Sequence, residues 1–227
     1  LLELGTFLAI VVGTIGGGWL FEFFTGSQMW AGVILVGLAV GGLITSFGIS
    51  RVPAADPAKQ WRVNFLADLW WQMRTIRRDR VLALAVFGNT YFFFLGALIQ
   101  QYTIYAYGKD LLHLSEGQIT SYLMPAIALG IGVGSFAAGY LSGNKIEYGL
   151  IPLGSLGMTV FGAFLAQPGR GLAGAIVALG LYGFFAGFFI VPIAALIQHR
   201  PDHKEKGAVI AASNLLSFVG IFIAAGV

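Results

Sequence analysis

No cysteine occurs among the 227 residues, which excludes a disulfide framework, a thiolate nucleophile and any cysteine metal site. Charge is scarce as well. Only 10% of residues are Asp, Glu, Lys or Arg, too few to cover the surface of a water-soluble globule. Histidine is limited to His113, His199 and His203, all in polar connections and without a metal-ligand spacing, so no metal and no cofactor is expected. The first residues offer no initiator Met, basic n-region or small-residue cleavage site. The last apolar run is still open at Val227, so the sequence reads as an internal fragment of a longer chain.

What is abundant is apolar. Hydrophobic residues make up 57% of the chain, and the mean hydropathy is +0.82. Runs of the roughly 20 residues that cross a hydrocarbon core recur along the sequence. Seven are expected, over residues 4–21, 29–49, 81–107, 118–141, 148–166, 171–197 and 207–227. The fold class is therefore all-α, a polytopic membrane helical bundle. In the first span Ala9, Gly13, Gly17 and Gly18 place small side chains along one helix face, which lets a second backbone approach closely. Pro125 and Pro192 fall inside helical patterns and predict kinks.

The one long polar interval, residues 51–80, holds Arg51, Lys59, Arg62, Arg74, Arg77, Arg78 and Arg80, seven of the 13 Lys and Arg. Placed in the cytoplasm, with each later span changing sides, it is joined there by Lys145, Arg200, Lys204 and Lys206. Only Lys109 and Arg170 then fall outside. This positive-inside bias puts the first residue in the cytoplasm and the last on the outer side. It also accounts for the net charge of +3 and pI near 9.3 without a nucleic-acid partner. Pro53 and Pro57 make the first part of the interval irregular. From Asn64, a candidate N-cap, the apolar residues Phe65, Leu69, Met73 and Ile76 recur at helical spacing. This predicts an amphipathic helix lying on the membrane surface, with Trp70 and Trp71 at interfacial depth.

Two spans before a basic loop and five after it suggest a transporter of two six-helix bundles joined by a central loop. Residues 1–50 are then the last two helices of the N-terminal bundle, 51–80 the joint, and 81–227 the first five helices of the C-terminal bundle. The remaining helices of the same chain become the expected partner, alongside the bilayer.

Over essentially its whole length the chain resembles the major facilitator superfamily, and the expected fold is a partial major facilitator fold. Gly13, Thr14, Gly17 and Gly18 resemble the fifth-helix "G-P-x-x-G-G" pattern of its exporters, with Thr14 in place of the usual Pro. Gly139, Leu141 and Lys145 resemble a degraded loop motif between the eighth and ninth helices, with Gly143 where an acid is usual. Three segments, 87–101, 139–154 and 197–221, are similar to the lysophospholipid transporter branch, whose members are often fused to an acyltransferase and an acyl-carrier-protein synthetase. That resemblance implies a transporter of lysophospholipid across a bacterial inner membrane by alternating access, without enzymatic chemistry in this segment. The alternatives are an exporter of drugs or small metabolites, favoured by the "GTIGGG" run, the membrane part of a fused acyltransferase, and a membrane scaffold.

Polar side chains inside spans normally face a bundle interior or a wet cavity. Asn89, Gln100, Gln101 and Tyr102 in the third span and Ser213 and Asn214 in the seventh are the substrate-path candidates, suited to a phosphate or glycerol headgroup. Interhelical packing bonds are the competing role at each. Gln100 and Gln101 point about 100° apart on a helix, so one at most faces a cavity centre. Glu3 is a candidate proton-coupling group, weighed against simple solvation at the interface. Arg200, Lys204 and Lys206 either attract anionic headgroups or only set topology.

Overall fold

The computed structural model describes residues 27–49, 65–143, 145–167, 169, 171–226 and isolated positions between 9 and 24. Glu3, Gly18, Pro53, Pro57 and Asn64 lie outside the described residues. Among the described residues the elements are helices throughout: α1 (Gln28–Ser46), α2 (Phe65–Arg78), α3 (Arg80–Leu111), α4 (Glu116–Ser142), α5 (Leu150–Leu165), α6 (Leu172–His199) and α7 (Lys206–Ala225). Five of these, α1, α3, α4, α6 and α7, are long and apolar enough to cross a membrane. The fifth expected span appears as the shorter α5, whose 16 residues rise about 24 Å against a hydrocarbon core of about 30 Å. Only isolated helical positions of the first expected span fall within the described residues.

Local chemistry sets the breaks. Asp79 adopts an extended conformation between α2 and α3, and its carboxylate accepts from the amides of Val81 at 3.0 Å and Leu82 at 3.3 Å. Two donors that a helix start leaves unpaired are thereby satisfied. At the far end of α3 the helix widens to π geometry over Ile99–Leu111 and ends at His113, which holds a left-handed φ of 51°. Ser115 then opens α4 with a reciprocal cap: its hydroxyl accepts from the amide of Gln118, and the Gln118 side chain accepts from the Ser115 amide. Pro125 follows a second π segment, Ile119–Leu123. A proline ring crowds the carbonyl four residues back, and a widened turn accommodates it. Pro192 is fully buried, and α6 continues through it to His199.

Glycine holds the helices together. Gly130 and Gly134 of α4 meet Gly183 and Gly187 of α6, and a Cβ at any of the four would drive into the backbone of the opposite helix. These are two four-residue small-residue spacings facing one another, the arrangement that brings helices into backbone contact where lipid removes the hydrophobic drive. Gly154 of α5 abuts the backbone of Phe185 and Phe189 of α6 in the same way, and Gly157 makes room for the Phe185 ring.

Two apolar cores close the two ends of the bundle. One joins Ile76 of α2, Leu82 and Val86 of α3, Ile193 and Leu196 of α6 and Val209 of α7. The other joins Ile104 of α3, Ile119 and Leu123 of α4, Leu165 of α5 and Leu179 of α6. The first core receives the apolar stripe expected on α2. That stripe, with Ile76 2% exposed and Leu69 and Met73 packed beside it, is buried against protein. The periodicity is as expected, and the surface that receives it is the bundle. Helix α1 has no buried residue along its membrane-length window.

Candidate functional site

Between the two end cores the packing opens. A recess of about 270 Å³ is lined by Phe92, Phe93, Gly96, Gln100, Ile104 and Ile221 on one side and by Ile127, Ile131, Met158, Tyr182 and Ala186 on the other. A second recess of about 200 Å³, lined among others by Tyr91, Leu95, Ser155 and Thr159, shares Phe92, Met158 and Tyr182 with it. The first is just below and the second a third below the lower end of the usual range for a small-molecule pocket, about 300 Å³. The two recesses lie back to back across the three shared residues and are together called the two lobes of an apolar slot. Phe92 stacks on Phe189 with centroids 6.0 Å apart and forms part of the wall between the lobes.

The slot is apolar except at chosen points. Gln100 is exposed and lines the first lobe beside exposed Phe93 and Gly96, which places an amide at its mouth. Tyr182, 7% exposed, lies where the lobes meet, and Ser155 and Thr159 line the second lobe. Such a surface holds an alkyl chain by burial and a polar head by a few hydrogen bonds. Glycine matters at one place: beyond Gly96 the space a Cβ would enter is open.

The sequence-predicted residues separate into groups. Asn89 and Ser213 come together in the α3–α7 contact, where the Asn89 amide donates to Ser213 Oγ at 3.3 Å and to Ser217 Oγ at 2.9 Å. All three are buried, and Ser217 donates in turn to the Ser213 carbonyl at 3.0 Å. Gln101, Tyr102 and Asn214 are exposed and are not among the residues lining either lobe. Gly13 and Gly17 are helical and exposed, with open space beyond each Cα. Gly139 and Lys145 are exposed near the α4–α5 connection, where Gly143 takes a φ of 54°. Among the described residues no group of three His, Asp or Glu converges on a metal position.

Sequence reading missed Tyr182, Met158 and the ion pair at the other end of the bundle. A tyrosine between Gly180 and Gly183 in a long apolar helix was the available signal. Arg200, at the C-terminus of α6, binds the Asp79 carboxylate through its Nε. This contact, aided by the two capping amides, holds the Asp79 carboxyl below its usual range. Reciprocally, the carboxylate raises the Arg200 guanidinium above its ordinary value. A residue expected either to attract headgroups or to set topology is thus the strap between α6 and the α2–α3 junction.

The chain is similar to known transporters over its whole length. It is 30% identical over 230 residues to the lysophospholipid transporter LplT of Klebsiella pneumoniae subsp. pneumoniae, covering 100% of this chain and 56% of that protein. It is 28% identical over 218 residues to the LplT of an Enterobacter species and 28% identical over 219 residues to that of Salmonella newport, with 95% of this chain and 53% of each relative covered. The chain thus spans just over half the length of the curated relatives it matches. No solved structure matches it. Residues 1–225 match the Major Facilitator Superfamily, and with its apolar membrane-length helices the chain belongs to that superfamily.

Proposed function

We propose that this chain is part of a secondary transporter that moves lysophospholipid across a bacterial inner membrane by alternating access. The observation that carries the reading is the bilobed apolar slot with Gln100 at its mouth and Tyr182 at its waist. The names borne by the relatives support the same substrate class. One acyl chain fits the apolar walls, and the Gln100 amide is placed to hydrogen-bond a glycerol or phosphate oxygen. Asn89 and Ser213 serve as packing for the wall behind, since both are engaged with each other.

In this reading residues 1–50 belong to one bundle, 51–80 to the cytoplasmic joint and 81–227 to the other, with the first residue cytoplasmic and the last outside. The missing wall of the site comes from the remaining helices of the same protein. Gly13, Gly17, Gly18, Gly139, Lys145 and Pro192 act in the conformational change, and Glu3 in coupling. No bond of the lipid is made or broken, so the activity is transport and not catalysis.

The test is reconstitution of the full-length protein in vesicles with lysophosphatidylethanolamine and measurement of its movement between leaflets. Protein-dependent movement is expected. A folded protein that moves none refutes the lipid assignment.

A further inference from the structure

Helix α2 presents two unlike faces. Leu69, Met73 and Ile76 anchor it to the bundle, and the other face exposes Trp70, Trp71, Arg74, Arg77 and Arg78, with Trp70 71% and Trp71 59% exposed. Between these faces is a cleft of about 240 Å³ lined by Trp70, Met73, Arg74 and Arg77. Residues three apart on a helix have Cβ atoms about 5–6 Å apart, so both guanidinium groups reach one phosphate placed in the cleft. Among the described residues no carboxylate pairs with Arg74 or Arg77, since Asp79 is taken by Arg200. Among the described residues their charge thus has no carboxylate partner.

Depth identifies what compensates it. The membrane-length helix α3 begins at Arg80, and three residues of chain reach at most about 11 Å. With α3 entering the hydrocarbon at its first turns, Arg77 is within headgroup range of the boundary. Exposed indoles at that level are partly wet and partly in lipid, the setting in which Trp is enriched. A free anion would leave Trp70 in water, whereas a lipid phosphate brings acyl chains to cover it.

We propose that the Trp70–Arg74–Arg77 cleft is a binding site for the phosphate of an anionic phospholipid of the adjacent leaflet, separate from the transport slot. Ile76 fixes the orientation of this face, so the site is preformed. It does not depend on the identity of the transported molecule. Because α2 runs directly into Asp79 and its bond to Arg200, an occupied cleft braces the inner end of the bundle.

The full-length protein, delipidated in detergent, is titrated with dioctanoyl phosphatidylglycerol, dioctanoyl phosphatidylcholine and inorganic phosphate, with bound lipid counted by native mass spectrometry. Phosphatidylglycerol is expected to bind in preference, and excess lysophosphatidylethanolamine, which addresses the transport slot, is expected to leave it in place. A basic residue near an anionic lipid contributes about fivefold in binding. R74Q/R77Q should therefore weaken phosphatidylglycerol binding about 25-fold, and R78Q, outside the cleft, at most about fivefold. Should the double variant fail to fold, a photoactivatable phosphatidylglycerol on the wild-type protein is expected to label the peptide spanning residues 65–80. Equal binding of the two lipids, an unchanged preference in R74Q/R77Q, displacement by inorganic phosphate or by lysophosphatidylethanolamine, or labelling confined to other helices each overturns the site.

Discussion

Replacing Asn89 with Leu separates packing from substrate contact. The Asn89 amide makes two hydrogen bonds across the α3–α7 contact, at 3.3 Å to Ser213 Oγ and 2.9 Å to Ser217 Oγ, with all three side chains buried. Interhelical hydrogen bonds in membrane proteins contribute about 0.6 kcal/mol each and at most about 1.7. Two of them set the expected loss in N89L near 1.2 kcal/mol, with about 3.4 as a ceiling. The Ser217 bond is the shorter and should carry more of it. A double-mutant cycle of N89L with S217A, read by unfolding of the full-length protein in mixed micelles of increasing denaturing detergent, is expected to give a coupling of about 0.6–1.7 kcal/mol. Leu fills most of the space of Asn, so the loss reports the bonds more than a void. The folded variant should still transport. A coupling below about 0.3 kcal/mol, the scatter of independent sites, or loss of transport at unchanged stability, would refute the packing role and return Asn89 to the substrate path.

Gly96→Leu places a side chain where the space beyond Cα is open and at the mouth of the slot; stability should stay within about 0.5 kcal/mol while lysophospholipid movement falls at least tenfold in reconstituted vesicles. Gly134→Leu, by contrast, meets the Phe184 backbone, and since overpacking costs about 1–3 kcal/mol or more, the variant should fail to yield a monodisperse peak in size-exclusion chromatography. The Asp79 carboxyl is held below its ordinary range, so its contribution is complete above the unfolded value near 4 and is lost as pH falls through the lower folded value. R200Q, which removes the main cause of that depression, should shrink the Asp79 part of the acid limb of a thermal-unfolding profile by raising its lower end toward the unfolded value, and D79N should abolish that part.

The helices were legible because composition and run length decide them: a stretch such as residues 172–197 has no alternative to a membrane-length helix. So was the stripe Leu69–Met73–Ile76, since periodicity belongs to the chain itself. What receives the stripe is a tertiary fact, and lipid and a neighbouring helix look alike from the side of α2. Asn89 and Ser213 stood out because amides and hydroxyls are rare in spans, yet their partnership across 124 positions has no local signature. The same holds for Asp79 and Arg200, 121 positions apart. Met158 and Tyr182 disappear into an apolar background that is uniform in sequence and shaped only by packing. The four-residue spacings at Gly130–Gly134 and Gly183–Gly187 went unremarked among the many glycines of the spans, because their facing register has no local signature.

The glycine contacts give the molecule a mechanical grain. With backbones touching at Gly130, Gly134, Gly183 and Gly187, α4 and α6 form one stiff leaf, to which α5 is keyed by Gly154 and Gly157. The α3–α7 pair, pinned by Asn89, Ser213 and Ser217, is a second leaf. Phe92, Gly96, Gln100 and Ile221 of the slot belong to the second leaf, and Ile127, Met158, Tyr182 and Ala186 to the first. The slot is thus a seam between two plates, closed at both ends by the apolar cores and clasped at one of those ends by Asp79 and Arg200. Widening it without bending either plate would require the side chains of those cores to slide past one another.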